Sequence, residues 1–371
     1  MHPSFLTMFF ILFFLILFAG VGYCCWHIWV LLPLAPLLKW LVLGVGIACF
    51  LMLFLALAPW LDEWPMWLAA KVYDVGTTAL IVLMYLVLFF LVADLCRLLH
   101  IVPKAWLTHN GWTSLALLAG MALLLTLGNM HYRDKVRQPL ALRTDKPLRK
   151  DMRLVMVRDL HLGDHNRRDE LRRWVELINK EHADAILIAG DIVDRSIRPL
   201  IADDMALELR QLNAPVYACL GNHEYYAGEP RAQQFYKDAG IHLLRDTALL
   251  LQDNILLVGR DDRTNRRRKP LKAILPQPDS THYTILLDHQ PYHLEEAEQA
   301  GIDFQFSGHT HHGQVWPISW ITESVYEKAF GSHQRGNTLY YISSGLGIWG
   351  AKVRIGTRSE YIVAEIKRKN E

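Results

Sequence analysis

The stretch AILIAGDIVD, residues 185–194, joins two features that indicate the fold of the second half of this chain. Its first residues form an apolar run that ends at Gly190, which is typical of a short strand buried on both faces. Two carboxylates, Asp191 and Asp194, follow this run directly. They are candidates for a binding site, because open α/β sheets bind ligands outside the carboxyl ends of their strands.

The same arrangement recurs after other apolar runs. The predicted strands cover residues 153–157, 185–190, 215–220, 283–288 and 304–308. The side chains of metal-ligand type that follow them are, in chain order, Asp159, His161, Asp191, Asp194, Asn222, His223, Glu224, His289, His309 and His311. These strands alternate with predicted helices at 169–181, 199–212, 229–239 and 292–300. The alternation predicts an α/β domain in which the listed side chains converge.

Toward the C-terminus the pattern becomes richer in strands. The stretch TALLLQDNILLVG, residues 247–259, predicts a hairpin that turns at Gln252–Asn254. Two further strands are predicted at 339–345 and 360–366.

The candidate ligands are Asp, Asn and His, without a thiolate. This set favours Mn²⁺, Fe²⁺, Zn²⁺ or Mg²⁺ over a soft metal. Seven ligands drawn from these ten side chains would exceed the needs of one tetrahedral ion and would be suitable for two ions that share a carboxylate. Ordinary structural roles are open for several residues: Asp194 as a helix N-cap, His223 as a turn residue, and His312 as a solvated loop residue.

The first half of the chain is strongly apolar, which accounts for the 52% hydrophobic content of the 371 residues. Four apolar runs cover about 4–23, 39–59, 77–95 and 112–130. Each approaches the roughly 20 residues that cross a hydrocarbon core. Many tryptophans lie at or between the ends of these runs, as in an interfacial belt. We therefore predict a four-helix transmembrane region over residues 1–130; a buried helical domain is the alternative.

Residues 131–152 are basic and contain two prolines. They are predicted to form a linker on the membrane surface, in contact with anionic headgroups, or a solvated connector. The loops on one side of the membrane carry Lys39, Arg97 and Lys104, whereas the other side carries Lys71 and seven basic residues over 133–150. By the positive-inside rule the C-terminal domain is expected in the cytoplasm, although long domains can translocate regardless of charge.

The order Asp-x-His, Gly-Asp-x-x-Asp, Gly-Asn-His-Glu, His-x-Pro and Gly-His-x-His resembles the calcineurin-like metallophosphoesterases over residues 153–366. GHTHHGQ, residues 308–314, and SSGLGIWGAKVRIGTRSE, residues 343–360, are similar to motifs of the transmembrane metallophosphoesterase group. That group includes bacterial membrane-associated phosphodiesterases and lipid A-pathway pyrophosphatases. Arg158 replaces the group's usual Ser, and His312 replaces its usual Gly. Both are candidate substrate contacts.

The resemblance implies two packed β-sheets flanked by helices over residues 153–371. It implies that Asp191 bridges two metal ions. One ion would be held by Asp159, His161 and His311, and the other by Asn222, His289 and His309. His223 would contact the phosphoryl group or protonate the leaving group. Asp194 and Glu224 would support the ligands without binding metal. The two ions would share a hydroxide of lowered pKa.

The function implied is hydrolysis of a phosphoester or pyrophosphate bond by a membrane-anchored dimetal enzyme. The expected substrate is a phosphorylated lipid or a lipid-linked nucleotide, and the expected location is a bacterial inner membrane. Besides the bilayer and this substrate, no nucleic acid partner is expected. The alternative is a membrane-bound sensor or scaffold that binds a phosphorylated ligand without turnover. A transporter is disfavoured, because Asp94 is almost alone as an ionisable residue in the apolar runs.

Overall fold

The computed structural model describes residues 3–252, 255–275 and 277–369. It divides into two compact units, residues 1–127 and 128–371. Long apolar helices make up the first unit, and the last residues of α4 belong to the second: α1 (Pro3–Leu31), α2 (Pro36–Ala56), α3 (Met66–Leu98) and α4 (Gly111–Arg133). Short 3₁₀ helices at Pro59–Glu63 and Lys104–Trp106 lie in the connections.

All four helices contain a window long and apolar enough to cross a membrane. Between 6% and 22% of the residues in each window are buried inside the protein. A buried helical domain would enclose far more of these side chains, whereas lipid-facing helices leave them on the surface. The first unit therefore has the character of a multi-pass membrane region, as the apolar runs predict.

Several polar side chains of this membrane region have hydrogen-bond partners within it. Asp94 on α3 accepts a hydrogen bond of 2.7 Å from the hydroxyl of Tyr23, and its Oδ2 lies 3.0 Å from Nε2 of His27 on α1. Lys39 donates to the backbone carbonyl of Trp29 at 2.7 Å. Such pairing lowers the cost of placing polar groups in lipid.

In the part of the second unit that the structure describes, the strands form two six-stranded sheets. The first has, in spatial order, β1 (Lys135–Thr144), β12 (Ser359–Arg368), β2 (Met152–Val157), β3 (Ala185–Ala189), β4 (Val216–Cys219) and β5 (Ile241–Leu243). The second has β10 (Gly331–Arg335), β11 (Thr338–Ile342), β9 (Phe304–Ser307), β8 (Tyr283–Leu287), β7 (Ile255–Gly259) and β6 (Thr247–Leu251).

Among the described residues, eight short helices accompany the sheets. They are α5 (Arg168–Asn179), α6 (Arg198–Ala202), α7 (Met205–Leu209), α8 (Asn222–Tyr226), α9 (Glu229–Asp238), α10 (Leu271–Ile274), α11 (Leu294–Gln299) and α12 (Ile318–Val325). A 3₁₀ turn covers His311–Gly313. Two of these helices, α6 and α7, replace the single helix predicted over 199–212.

The side chains of β2 show how the layers are built. Leu154 and Met156 point into a core shared with Phe304 and Phe306 of the second sheet. Alternate residues of a strand face opposite sides, so Val155 lies in a separate core that includes helix residues such as Trp174 and Phe235. A third core joins the outer face of the second sheet to α10 and α11. The predicted architecture of two packed sheets flanked by helices is confirmed.

Parallel pairing sets the position of the site. Strands β2, β3, β4 and β5 run parallel in the first sheet, as do β7, β8, β9 and β11 in the second. The carboxyl ends of each parallel set therefore lie at one edge of its sheet, where the ligand-bearing loops begin.

The structure corrects the prediction that residues 131–152 form a linker. α4 continues to Arg133, and residues 135–144 form the edge strand β1, paired in parallel with β12. The exposed residues of β1 alternate with partly buried ones, and Pro139 is tolerated because an edge strand leaves one row of N–H groups unpaired. Its basic side chains obscure this alternation in the sequence.

The hairpin predicted at 247–259 is present as β6 and β7 in antiparallel pairing. Of the turn predicted at Gln252–Asn254, residues 253 and 254 lie outside the described residues. The short strands β5 and β10 were not predicted, because three to five partly exposed residues carry little periodic signal.

Candidate metal centre

The loops that carry the candidate ligands have unusual backbone conformations. Five of these residues adopt positive φ angles: Asp159 (49°), His161 (44°), Asp191 (53°), His309 (71°) and His311 (47°). Left-handed conformations of non-glycine residues are costly and cluster at functional sites, where the surrounding structure holds them in place. Gly221 is also constrained, since an added Cβ would collide with Asp191.

One group of ligands consists of Asp159, His161 and His311. The Nε2 atoms of the two histidines lie 3.0 Å apart, and Nε2 of His311 lies 3.4 Å from Oδ2 of Asp159. Within the described residues, Oδ1 of Asp159 and Nδ1 of His311 are buried without a hydrogen-bond partner. The convergence of these three side chains, with a buried carboxylate oxygen left without a hydrogen-bond partner, fits a bound cation.

The second group consists of Asp191, His289 and His309. Nε2 of His289 lies 3.1 Å from Oδ2 of Asp191. The side-chain oxygen of Asn222 lies 3.1 Å from the same nitrogen and 2.8 Å from Nδ1 of His309. Asn222 thus completes a set of two imidazoles, one carboxylate and one amide oxygen.

Asp191 lies between the two groups. Its Oδ2 is 3.7 Å from Nε2 of His161 and 3.1 Å from Nε2 of His289. One carboxylate oxygen therefore faces a histidine of each set. This donor chemistry fits two divalent ions that share Asp191, and the seven residues assigned to metal binding from the sequence come together in this arrangement.

Burial and neighbouring charges together set the protonation of these histidines. Burial lowers the pKa of His161 to about 4, with a further contribution from His223. It also lowers the pKa of His309 to about 3, and the charge of His289 adds to this effect. For His289 burial acts in the same direction, but Asp191 outweighs it and raises the pKa to about 9. His161 and His309 are thus neutral at pH 7, the form that binds a metal.

Comparisons with known proteins agree with this geometry. The family model described as calcineurin-like phosphoesterase matches residues 152–313. A metallophosphoesterase of Aquifex aeolicus is 30% identical over 228 residues, which cover 59% of this chain and 86% of that protein. The chain belongs to the calcineurin-like phosphoesterases.

Two other relatives of this phosphoesterase are longer than the matched region. A metallophosphoesterase of Helicobacter pylori strain J99 is 31% identical over 230 residues, 60% of this chain and 62% of that protein. A Danio rerio transmembrane protein with metallophosphoesterase domain is 29% identical over 225 residues, 56% of this chain and 52% of that protein. The chain thus spans about half to two thirds of these two relatives.

Two acidic residues of this phosphoesterase, Asp194 and Glu224, hydrogen-bond to the ligands or to their loops. Oδ1 of Asp194 lies 3.1 Å from Nδ1 of His161. The carboxylate of Glu224 accepts hydrogen bonds from the backbone N–H groups of Asp191, at 3.1 Å, and of Gly221, at 2.7 Å. It thereby joins the loops after β3 and β4. Asp194 is not an N-cap, since α6 begins at Arg198 with Ile197 before it.

His223 contacts both Asp194 and Asp191. Its Nδ1 lies 3.0 Å from the backbone oxygen of Asp194, and its backbone N–H donates to Oδ1 of Asp191 at 2.9 Å. Burial lowers the pKa of His223, but Asp191 and Asp194 outweigh burial and raise it to about 9. The imidazole is therefore protonated at neutral pH and has a proton to donate.

Arg158, a candidate substrate contact, is fully buried and forms an ion pair with Asp159. Its Nε and Nη2 atoms have no hydrogen-bond partner among the described residues. Gly308 makes room for it, because a Cβ at that position would overlap the Arg158 side chain. The guanidinium thus retains unused donors beside a metal ligand.

His312, the other candidate contact, is partly buried. Its Nε2 lies 3.0 Å from Oε1 of Glu323, and its ring stacks on Phe330 with centroids 4.5 Å apart. Its Nε2 is therefore engaged by an exposed carboxylate of the same domain.

Two residues that support the ligand loops were not singled out from the sequence. The buried Arg354 donates to the backbone oxygen of His311 at 2.9 Å. The side-chain amide of Asn166 donates to the backbone oxygen of His161 at 3.1 Å. Arg354 lies within the glycine-rich stretch 343–360, which could have pointed to it; Asn166 belongs to no motif.

Two tyrosine rings continue from the ring of His309. The ring of Tyr326 lies 6.4 Å from that of His309 and 4.8 Å from that of Tyr292. The guanidinium of Arg263 lies 4.3 Å above the Tyr292 ring. Arg263 thus contacts the aromatic side chains that continue from the ligand His309.

Proposed function

We propose that this phosphoesterase hydrolyses a phosphoester or pyrophosphate bond of a phosphorylated lipid or a lipid-linked nucleotide. The observation that carries the proposal is the combination, in one chain, of a dimetal-type site with four candidate membrane spans. A single helix is enough to tether an enzyme to a membrane. Because this chain has four candidate spans, a substrate that resides in the bilayer is favoured.

The residues that would hold the ions are the seven ligands centred on Asp191. When bound, two divalent ions supply Lewis-acid polarisation of phosphoryl oxygens and a nucleophile available at neutral pH. Mn²⁺, Fe²⁺, Zn²⁺ and Mg²⁺ are all compatible with the donor set.

The chain's own residues have distinct tasks in this proposal. His223 holds a proton on its imidazole and would deliver it to the departing oxygen. The free donors of Arg158 would hydrogen-bond a phosphoryl oxygen, where charge increases during the reaction. Asp194 keeps His161 and His223 oriented through its carboxylate and carbonyl oxygens.

The lipid A-pathway version of this function, cleavage of a sugar-nucleotide lipid pyrophosphate, rests on the motif resemblance alone. We also propose a bacterial inner membrane with the catalytic unit on the cytoplasmic side, supported by the excess of basic residues over 133–150.

The test uses the full-length protein in nanodiscs with Mn²⁺. Phosphatidic acid, a lipid-linked nucleotide diphosphate and bis(p-nitrophenyl) phosphate are supplied separately, and the products are identified by mass spectrometry. Cleavage of a lipid substrate, absent from the Asp191→Asn variant, is the expected result. Cleavage of the soluble diester without any lipid turnover contradicts the substrate class. Lipid binding without hydrolysis of any compound supports the sensor alternative.

A further inference from the structure

A patch of apolar side chains is exposed beside the metal centre. Trp316, Trp320, Ile321 and Val325 are 41%, 63%, 55% and 59% exposed, and they lie on α12 or just before it. The two indole rings contact each other edge to face, with centroids 5.3 Å apart. We call these four residues the α12 patch. Adjacent exposed apolar residues of this size are uncommon on a water-facing domain and mark interaction surfaces.

The α12 patch is fixed to the ligand loop. On the buried face of the helix, Ser319 packs closely on Gly313. A Cβ added to Gly313 would collide with the backbone of α12. Glu323 pairs with His312 at 3.0 Å, between the metal ligand His311 and Gly313. α12 therefore cannot shift without disturbing the loop that bears the ligands.

Within the second unit, the α12 patch also adjoins the end of α4. The backbone N–H of Trp316 donates to the carbonyl of Ile355 at 2.7 Å. Ile355 and Val353 lie directly against Gly128, whose carbonyl accepts from the N–H of Arg354 at 2.9 Å. Gly128 belongs to the candidate membrane span Gly111–Arg133. Trp316 is thus linked through Ile355 to the end of a helix that is apolar enough to reside in lipid.

We propose that the α12 patch is a membrane-contact surface, which inserts into the headgroup boundary of the bilayer that α4 crosses. Tryptophan favours that boundary because its ring is apolar and its N–H is polar. Aliphatic residues on the same helix face add buried apolar area, as in interfacial helices. The contact holds the loop with His309 and His311 at the membrane surface.

A second copy of the chain is the competing occupant. Specific protein interfaces use about 20–30 residues on each side, whereas this patch has four large apolar side chains. Because each copy has its own candidate membrane spans, a lipid surface is available to the patch without association of two copies.

The experiment introduces the photocrosslinker p-benzoylphenylalanine in place of Trp320 in the full-length protein, reconstituted in phosphatidylethanolamine–phosphatidylglycerol nanodiscs. The control carries it in place of Ile201 on α6, which is 65% exposed. After irradiation, a lipid adduct is expected at position 320 and not at 201. Equal adduct yields at the two positions, or a protein–protein crosslink at 320 in place of the lipid adduct, would overturn the proposal.

A second variant separates membrane contact from mere proximity. Ile321→Glu, combined with the crosslinker at 320, is expected to reduce the lipid adduct to the level of the control position, while Ile201→Glu in the same background leaves it unchanged. Metal content verifies that both variants are folded. An undiminished adduct in the Ile321→Glu variant contradicts insertion. Neither arm depends on the enzyme's substrate, so failure here is distinguishable from failure of the proposed function.

Discussion

Asp194 and His161 form the contact that orients a metal ligand from behind, with Oδ1 of the acid 3.1 Å from Nδ1 of the imidazole. A carboxylate in this position fixes the tautomer that leaves Nε2 available to a metal and increases the basicity of the ring. We therefore predict that Asp194→Asn lowers metal affinity by about 10–100-fold, the usual effect of losing such a partner. Metal competition titration measures it. Asp203→Asn, a change in an acid that pairs with Arg167, is the control and should bind metal normally.

Removal of the shared carboxylate should have a larger effect. Since Asp191 Oδ2 faces both His161 and His289, we predict that Asp191→Asn loses most of both ions. Asp159→Asn, which alters one group only, should retain about one ion per chain. Elemental analysis of the purified variants tests this difference. Full occupancy in Asp191→Asn would refute the bridging role.

His223→Ala should retain its metal content but react slowly. A general acid typically contributes about 10²–10⁴-fold to the rate, so turnover of an alkyl phosphodiester should fall within that range. A p-nitrophenyl ester needs little protonation on departure and should be affected less. Equal rate losses with both leaving groups would indicate that His223 has no acid role.

The end of α4 should contribute to the acid stability of the second unit. Tyr132 is fully buried; its hydroxyl donates to Oε1 of Glu170 at 2.8 Å and lies 2.9 Å from Oδ1 of Asn166. Burial would raise the pKa of Glu170, but Lys352 and its hydrogen bonds outweigh burial and lower it. A lowered carboxyl pKa stabilises the fold above the pKa of the unfolded chain, about 4.3, and the benefit is lost as pH falls through the folded-state pKa.

Glu170→Gln removes this carboxyl and should therefore lower thermal stability at pH 7 and weaken its decline on acidification. Thermal unfolding in detergent between about pH 3 and 7 provides the measurement. A pH dependence identical to that of the wild type would exclude Glu170 as a source.

A soluble fragment should retain the chemistry. Gly128 packs on Val353, and the side-chain amide of Asn129 donates to the carbonyl of Lys352 at 2.8 Å, so the fragment must begin at residue 128. We predict that residues 128–371 bind metal and cleave a soluble phosphodiester but act poorly on substrate embedded in vesicles. A fragment that begins at residue 131 lacks both contacts and should unfold at a lower temperature. Equal loss of both activities in a folded 128–371 fragment would place the spans within the catalytic machinery.

Asp191 and β1 show most clearly which features could be predicted from the sequence and which could not. Apolar periodicity is local, so the strand before Asp191 and the four membrane helices can be read directly from neighbouring residues. Since parallel strands end at one edge, the order of motifs also predicts that the ligands converge. The pairing of β1 with β12, and the position of one Asp191 oxygen between two histidines, depend on contacts between distant parts of the chain.

The same reason separates what the sequence by itself determined from what only the tertiary structure decided. Residue types and their spacing defined the α/β order, the membrane spans and the chemical nature of the ligands, because each is a property of a short segment. Folding decided that Arg354 supports the His311 loop, that Tyr132 joins α4 to Glu170, and that Trp320 stays exposed. Burial and hydrogen bonding across the fold are set by packing between segments, and no single segment encodes its partner.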